Sequence, residues 1–156
     1  MYQLSFTHTH SYAGRDGTIT LPVVLRSGAR LVDLVASLDT GAPYCLFESG
    51  YAGELGLDLA SGVSMRFRTA NSNFDAYGHE VEIDVLGITS HSFVYFFAER
   101  SVRKNVLGRG GWLDRVRVGL VDHDRELYFG RIRPRSRVKL PRNPPVATRR
   151  ISTQQT

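Results

Sequence analysis

The chain has one cysteine, no long apolar run and, in its last 26 residues, no acidic side chain. A single thiol, Cys45, rules out an internal disulfide framework and favours a reducing cytoplasm as the compartment. No apolar stretch approaches the roughly 18 residues that would cross a bilayer. Residues 1–10 lack the basic and apolar segments of a secretory signal. We therefore expect a soluble, cytoplasmic protein with no membrane partner.

Several catalytic and binding motifs are also missing. There is no Gly-x-Ser-x-Gly elbow, and no glycine-rich loop precedes a Lys-Ser or Lys-Thr pair. Cys45 has no evident histidine partner, so we expect it to be a small buried residue. His8 and His10 share one side of a predicted strand and could supply two metal ligands, but no third ligand follows nearby. The sequence predicts neither a metal nor a cofactor.

Charge is distributed unevenly along the 156 residues. Residues 131–156 contain eight basic side chains, and residues 1–130 contain 12 basic and 15 acidic ones, a net charge of −3. This length suits one domain and a tail. We expect the domain over residues 1–130 and a basic, Pro/Arg-rich, partly disordered tail over residues 131–156. Binding of nucleic acid by the tail is the less favoured alternative.

Hydrophobic periodicity predicts strands rather than helices. Apolar and polar residues alternate over residues 18–26, and an apolar segment follows at residues 31–38. Residues 92–98 are apolar on both faces, as in a strand covered on both sides. Ser49 is a suitable N-cap for one short helix over residues 50–55. With its frequent turn signals, the sequence predicts an all-β domain, closed toward a barrel or a sandwich.

The segment over residues 31–38 leads an acidic side chain, Asp39, into a turn made by Thr40 and Gly41. A carboxylate at the end of an apolar strand loses hydration unless hydrogen bonds or a charged partner compensate, so it is more often functional than incidental. The alternative is an ordinary β-turn, since Asp, Thr and Gly are all turn formers. Asp39 is therefore the first candidate for chemistry.

Three features follow one another in a suggestive order: Asp39-Thr40-Gly41-Ala42, a predicted hairpin with a polar tip over residues 69–77, and Val106-Leu107-Gly108-Arg109. With them the chain resembles the retropepsin-like aspartic proteases, and more closely the bacterial single-lobe members of that family. Residues 53–59, 76–81 and 107–115 also resemble this group. The resemblance covers roughly residues 18 to 130. It implies a closed acid-protease barrel that works as a homodimer.

The resemblance assigns roles to the two motifs. Asp39 is the catalytic aspartate, and the Thr40 hydroxyl ties the two active-site loops together across the dimer axis. Gly41 allows the turn, and its N–H can reach the carboxylate. Gly108 matches the glycine that packs behind the loop, and Arg109 the arginine that braces the domain there, often through a carboxylate. Ala42 completes the supporting loop.

The hairpin over residues 69–77 corresponds to the flap, which closes over an extended peptide. The residues expected near its tip are Ala70, Asn71, Ser72, Asn73 and Phe74. The resemblance implies an aspartic endopeptidase in which two Asp39 carboxylates share a water and one proton, with a peptide or protein as substrate and no metal or cofactor. A non-catalytic peptide-binding or dimerisation module on the same fold is the alternative.

Overall fold

The computed structural model describes residues 3–14, 16–69 and 72–132. These residues form ten strands and one short α-helix, which confirms the predicted all-β class. The strands are β1 (His8–Ser11), β2 (Thr20–Ser27), β3 (Arg30–Leu38), β4 (Leu46–Phe47), β5 (Val63–Arg68), β6 (Asn73–Val85), β7 (Ile88–Phe97), β8 (Val106–Leu107), β9 (Val116–Val121) and β10 (Glu126–Arg131). Helix α1 spans Ser49–Glu54, and 3-10 helices span Leu59–Ser61, Leu113–Arg115 and Asp122–Asp124.

Most of the predicted tail lies outside this set, since residues 133–156 are not among those described. Within the described ranges, no helix has both the length and the apolar character needed to span a membrane.

Six strands close into a barrel. The ring runs β2, β3, β8, β4, β7 and β6, and β6 pairs back to β2 through Val24–Asp84, Leu25–Ile83 and Arg26–Glu82. The β3–β8 and β4–β7 pairs are parallel, and the others are antiparallel. Strand β5 pairs with the first part of β6 and extends this sheet as a hairpin. The sequence left a barrel and a sandwich open, and the β2–β6 pairing decides for the barrel.

The alternation of β2 and β3 explains why they form the wall beside Asp39. Leu21, Val23 and Leu25 of β2 are almost fully buried, and Val32, Leu34 and Ala36 of β3 are buried on the same side of the hairpin. Pairing such faces places the apolar side chains of both strands in one interior. The barrel core therefore begins at the strand that carries Asp39.

A second, three-stranded sheet has the order β1–β10–β9. Leu127 and Phe129 of β10 are fully buried and belong to the same apolar cluster as the barrel interior. Trp112 joins them, with its ring centroid 6.4 Å from that of Phe129. The two sheets thus share one core.

The start of α1 differs from the prediction that Ser49 caps it. The N-cap residue is Glu48, and its side chain makes no capping hydrogen bond. Glu48 is instead held by a tertiary contact, since its backbone N–H donates to Asn105 Oδ1 at 3.0 Å and Asn105 Nδ2 donates to its carboxylate at 3.3 Å. Ser49 is buried in the first turn. A contact 57 residues away along the chain therefore sets this helix boundary.

Candidate active site

Asp39 directly follows β3 and is held on both sides. The N–H of Leu38 donates to the carbonyl oxygen of Ile19 at 2.7 Å, and the N–H of Asp39 donates to the carbonyl oxygen of Leu107 at 3.1 Å. The parallel pairing of β3 with β8 sets the second contact, since Leu38 lies opposite Leu107. These bonds fix the backbone from which the carboxylate extends.

The Asp39 carboxylate is bound by its own loop through one oxygen. Oδ1 accepts hydrogen bonds from the N–H of Gly41 at 2.9 Å and from that of Ala42 at 3.2 Å. Oδ2 accepts none from the part of the chain that is described. Hydrogen bonds from two backbone N–H groups fix the orientation of the carboxylate. One oxygen is thus anchored, and the other remains available to water, substrate or a partner.

The tip of the loop lies at the surface of the single chain. Asp39 is partly buried, whereas Thr40 and Gly41 are exposed. The described contacts assign no hydrogen bond to the Thr40 hydroxyl. The predicted role of Thr40 in tying two loops together needs a second chain, and the single chain presents that hydroxyl to solvent.

Gly108 and Arg109 lie behind the Asp39 loop. The N–H of Arg109 donates to the carbonyl oxygen of Ala42 at 2.9 Å, and the N–H of Gly110 donates to that of Pro43 at 2.8 Å. A Cβ on Gly108 would lie 2.1 Å from the carbonyl oxygen of Tyr44 and 2.9 Å from that of Ala42. Glycine is therefore the residue that lets β8 approach the loop.

The side chain of Arg109 departs from the predicted brace through a carboxylate. It is exposed, and no ion pair joins it to any described residue. The acidic group nearest in sequence, Asp114, is engaged elsewhere, because its Oδ1 accepts the N–H of Gly111 at 3.2 Å and lies 3.7 Å from Arg115 Nε. In the described chain Arg109 supports the loop through its backbone N–H.

The predicted flap is a hairpin of β5 and β6, with a shorter loop than the sequence suggested. Pairing continues to Arg68–Asn73, so Asn73 and Phe74 belong to a strand and not to a polar connection. The rings of Phe67 and Phe74 stack at 5.1 Å, and this cross-strand pair extends the ladder. Ser72 lies in the turn, and Ala70 and Asn71 lie outside the described residues.

The turn itself is closed by local hydrogen bonds. The N–H of Thr69 donates to the carbonyl oxygen of Ser72 at 2.8 Å, and Thr69 Oγ1 accepts the N–H of Ser72 at 3.0 Å. The Thr69 hydroxyl therefore satisfies both backbone groups of Ser72, since it also donates to the Ser72 carbonyl oxygen at 2.9 Å.

An aromatic cluster connects the Asp39 loop to the β5–β6 hairpin. The ring of Tyr44 lies 6.0 Å from that of Phe67 and 5.1 Å from that of Tyr95, and Phe67 and Tyr95 lie 5.3 Å apart. Ala42 packs against the same cluster. Burial raises the pKa of the Tyr95 hydroxyl above its usual range, with a smaller contribution from Tyr44. Sequence reasoning did not place Tyr44, Phe67 and Tyr95 at the site, although Tyr95 alternates with Phe93 and Phe97 along β7, a pattern visible in the sequence.

The other candidate residues have ordinary structural partners. His8 Nδ1 lies 2.8 Å from Thr7 Oγ1, and His10 Nε2 lies 3.0 Å from the carbonyl oxygen of Thr20. Within the described ranges, no group of three or more His, Cys, Asp or Glu side chains is arranged to hold a metal. Cys45 is fully buried, and this burial raises the pKa of its thiol to about 12.

Concave sites of about 600, 530 and 330 Å³ lie elsewhere on the described surface. Asp39 lines none of these three. The described surface of one chain therefore leaves the Asp39 carboxylate at an open face rather than in any of these hollows.

Comparison with known proteins identifies the fold. No protein-family model matches the chain, and no curated protein sequence is similar to it. A retropepsin-like aspartic protease from Rickettsia conorii is similar in structure, with a TM-score of 0.59 and 19% sequence identity over 83% of this chain and 96% of that one. The EIAV protease, in complex with the inhibitor HBY-793, is 17% identical over 64% of this chain and 88% of that one, with a TM-score of 0.47. From the closed barrel and the first of these similarities, we conclude that this chain has the retropepsin-like fold.

Proposed function

We propose that the protein is an aspartic endopeptidase whose active site is completed by a second copy of the chain. The observation that carries this proposal is the Asp39 carboxylate, anchored through Oδ1 by two backbone N–H groups on an exposed loop of a retropepsin-like barrel. One chain supplies one such carboxylate, and aspartic proteolysis uses two that share a water. A twofold dimer with an isologous interface would bring two copies of Asp39 together.

Electrostatics requires the two carboxylates to share a proton. At a separation of about 3 Å and an effective dielectric constant near 20, two ionised groups would repel by roughly 5 kcal/mol. The pair therefore holds one proton and titrates as a unit. The ionised aspartate removes a proton from the water as the water oxygen bonds to the scissile carbonyl carbon. At the same time the protonated aspartate donates its proton to the carbonyl oxygen.

The resulting tetrahedral intermediate then collapses. The aspartate that took the proton from water donates it to the amide nitrogen, and the other aspartate removes a proton from a hydroxyl of the intermediate. The C–N bond breaks, and the two peptide products leave with the dyad back in its one-proton state. In this proposal the Thr40 hydroxyls join the two loops, and Gly41, Ala42, Gly108 and Arg109 hold each loop in place. The reaction should slow at high pH, where both aspartates ionise and no proton is left to donate.

In this proposal the β5–β6 hairpin is the flap, and it covers the bound peptide on the side opposite the Asp39 loops. An extended peptide would lie between the Asp39 loops and the two hairpins, with backbone hydrogen bonds from residues among Ala70, Asn71, Ser72, Asn73 and Phe74. Closure of the hairpins excludes bulk water from the dyad. The aromatic cluster beneath supports this placement, because Phe67 and Phe74 on the hairpin pack in the same cluster as Tyr44 and Ala42.

The decisive experiment replaces Asp39. Asp39→Asn removes the acid but keeps the side-chain size, so we expect kcat/KM for peptide hydrolysis to fall by about 10⁴-fold. Asp33→Asn is the matched control, since Asp33 is an exposed carboxylate six residues earlier on β3. Circular dichroism and sedimentation should report an unchanged fold and dimer for both variants.

The same experiment separates the enzyme from the alternative, a non-catalytic peptide-binding or dimerisation module. Inhibition by a peptide analogue with a hydroxyl group in place of the scissile carbonyl would support catalysis, because such a compound mimics the tetrahedral intermediate. Full activity of Asp39→Asn, or a strictly monomeric active enzyme, would overturn the proposal.

A further inference from the structure

Two exposed cationic side chains flank strand β8, which lies directly beside Asp39. Lys104 precedes the strand by two residues, and Arg109 follows it by two. Both are exposed. Because β8 pairs in parallel with the end of β3 and its Leu107 accepts the N–H of Asp39, these cations mark the two ends of the segment that backs the candidate active site.

Neither cation is neutralised within the described chain. Asp114, the carboxylate nearest to Arg109 in sequence, is held by Gly111 and Arg115. Glu48 contacts the two residues that flank Lys104 in the chain, since it accepts a hydrogen bond from Arg103 Nη1 at 2.9 Å and another from Asn105 Nδ2 at 3.3 Å. The acids of this region are therefore already engaged, and the described ion pairs include neither Lys104 nor Arg109.

This local positive charge contrasts with the first 130 residues as a whole, which carry a net charge of −3. Positive charge beside a binding site in an otherwise acidic body attracts an anionic ligand and discriminates against a cationic one. Of the two residues, Arg109 adjoins the Asp39 loop directly, because its backbone N–H donates to the carbonyl oxygen of Ala42.

We propose that Arg109, assisted by Lys104, selects peptide substrates with acidic side chains flanking the scissile bond; this rests on the function proposed above. A guanidinium offers paired N–H donors that match a carboxylate, so Arg109 would bind a Glu or Asp of the substrate. In a twofold dimer one Arg109 serves each side of the scissile bond, so acidic residues on both sides should act together. The basic segment over residues 131–156 would be a poor substrate for the same reason.

The test uses full-length protein and quenched fluorescent peptides that share one apolar centre. Their flanking positions carry Glu, Gln or Lys on the N-terminal side, the C-terminal side or both. For the wild type we expect kcat/KM to be about two- to fivefold higher for each Gln replaced by Glu, as for an exposed ion pair, and the preference to weaken with added salt. Lys should lower kcat/KM instead.

Variants then assign the preference to Arg109. The ratio of kcat/KM for the Glu peptide to that for the Gln peptide should approach one in Arg109→Gln, remain partly in Arg109→Lys, and favour the Lys peptide in Arg109→Glu. Arg30→Gln is the matched control, because Arg30 is an exposed arginine at the opposite end of β3, about 30 Å along the strand from Asp39. Its ratio should equal that of the wild type.

A second measurement does not depend on turnover. Fluorescence anisotropy with the Asp39→Asn variant should give tighter binding of the Glu peptide than of the Gln peptide, and Arg109→Gln in that background should remove the difference.

Hydrolysis of all peptides at equal kcat/KM would overturn the acidic preference and leave the proposed protease intact. Weaker dimerisation of Arg109→Gln with an unchanged Glu/Gln ratio would mean that Arg109 meets a carboxylate of the partner copy, and the proposal would be wrong. Absence of hydrolysis together with a retained binding preference would overturn the proposed function and keep the acidic selectivity.

Discussion

Gly108 lies so close to Tyr44 that a Cβ on residue 108 would be 2.1 Å from the Tyr44 carbonyl oxygen. This contact brings β8 against the loop that carries Asp39, and it allows the hydrogen bond from the N–H of Arg109 to Ala42. Backbone meets backbone here, so no side-chain rotation can relieve an added methyl group.

The first prediction follows from that contact. Gly108→Ala should lower the free energy of unfolding by about 2 kcal/mol or more, because overpacking against a fixed carbonyl forces backbone movement. Gly50→Ala is the control, since a Cβ at this exposed position of α1 meets no atom within 4 Å. It should be neutral or stabilising, as expected for alanine in a helix. Urea titrations of both variants measure the difference, and equal midpoints would contradict the packing argument.

The second prediction concerns the thiol beside the same loop. Cys45 Sγ lies 3.9 Å from the Gly108 carbonyl oxygen, and burial raises the pKa of the thiol to about 12 from an ordinary value of 9.0. The thiolate fraction at pH 8 should therefore be smaller by about 10³-fold than for a free thiol. Ellman's reagent should react slowly with the native protein and rapidly after unfolding in guanidinium. Rapid reaction of the native protein would show that Cys45 is accessible.

The third prediction concerns the anchoring of the β5–β6 hairpin, the proposed flap. Phe67→Ala removes ring contacts to Phe74, Tyr95 and Tyr44, so we expect a loss of about 3 kcal/mol in stability. The amides of Thr69 and Ser72 should exchange hydrogen faster, since the hairpin loses its packing. Val63→Ala is the control, because Val63 lies on the same strand with 59% of its surface exposed. Unchanged hydrogen-exchange rates at Thr69 and Ser72 in Phe67→Ala would show that the aromatic cluster does not stabilise the hairpin.

The fourth prediction is a pH dependence at the β6–β7 turn. The hydroxyl of Thr89, at 2.7 Å, holds the pKa of Asp84 below its usual range, and the N–H of Gly87 contributes at 2.9 Å. A carboxyl with a lowered folded-state pKa stabilises the fold above its unfolded pKa, and this contribution disappears as pH falls through the folded value. Thr89→Val should therefore cost about 1 kcal/mol at pH 7 and less at pH 2.

Thermal unfolding of wild type and Thr89→Val at the two pH values measures this dependence. Thr89→Ser retains the hydroxyl and should behave more like the wild type at pH 7. A Tm difference of equal size at pH 7 and pH 2 would mean that Val acts through packing and not through the Asp84 carboxylate.

Local patterns made much of the fold predictable. The alternation over residues 18–26 and the apolar segment at residues 31–38 became β2 and β3, because side chains of a strand point to opposite faces in turn. The hairpin after residue 63 was also found, although its loop was predicted too long. Asn73 and Phe74 looked like loop residues in a polar context, and the stacking of Phe74 on Phe67 places them in a strand.

The described residues give the Arg109 side chain no carboxylate partner, and the reason is different. An arginine can pair with a nearby carboxylate only if the other hydrogen-bond and ion-pair partners of that carboxylate do not orient it elsewhere. Asp114 is five residues away, but its 3-10 helix directs it to Gly111 and Arg115. Such competition between acceptors and donors has no signature in residue spacing.

The sequence by itself determined that a carboxylate follows an apolar strand, enters a Thr-Gly turn and precedes a Val-Leu-Gly-Arg element, because these features depend on neighbouring residues and on the period of a strand. Only the tertiary structure decided that β2 pairs with β6 to close a barrel, that Gly108 must lack a Cβ, and that Arg109 keeps its charge exposed beside the Asp39 loop. Each of these depends on contacts between segments distant in the chain, and their geometry is set by packing in three dimensions.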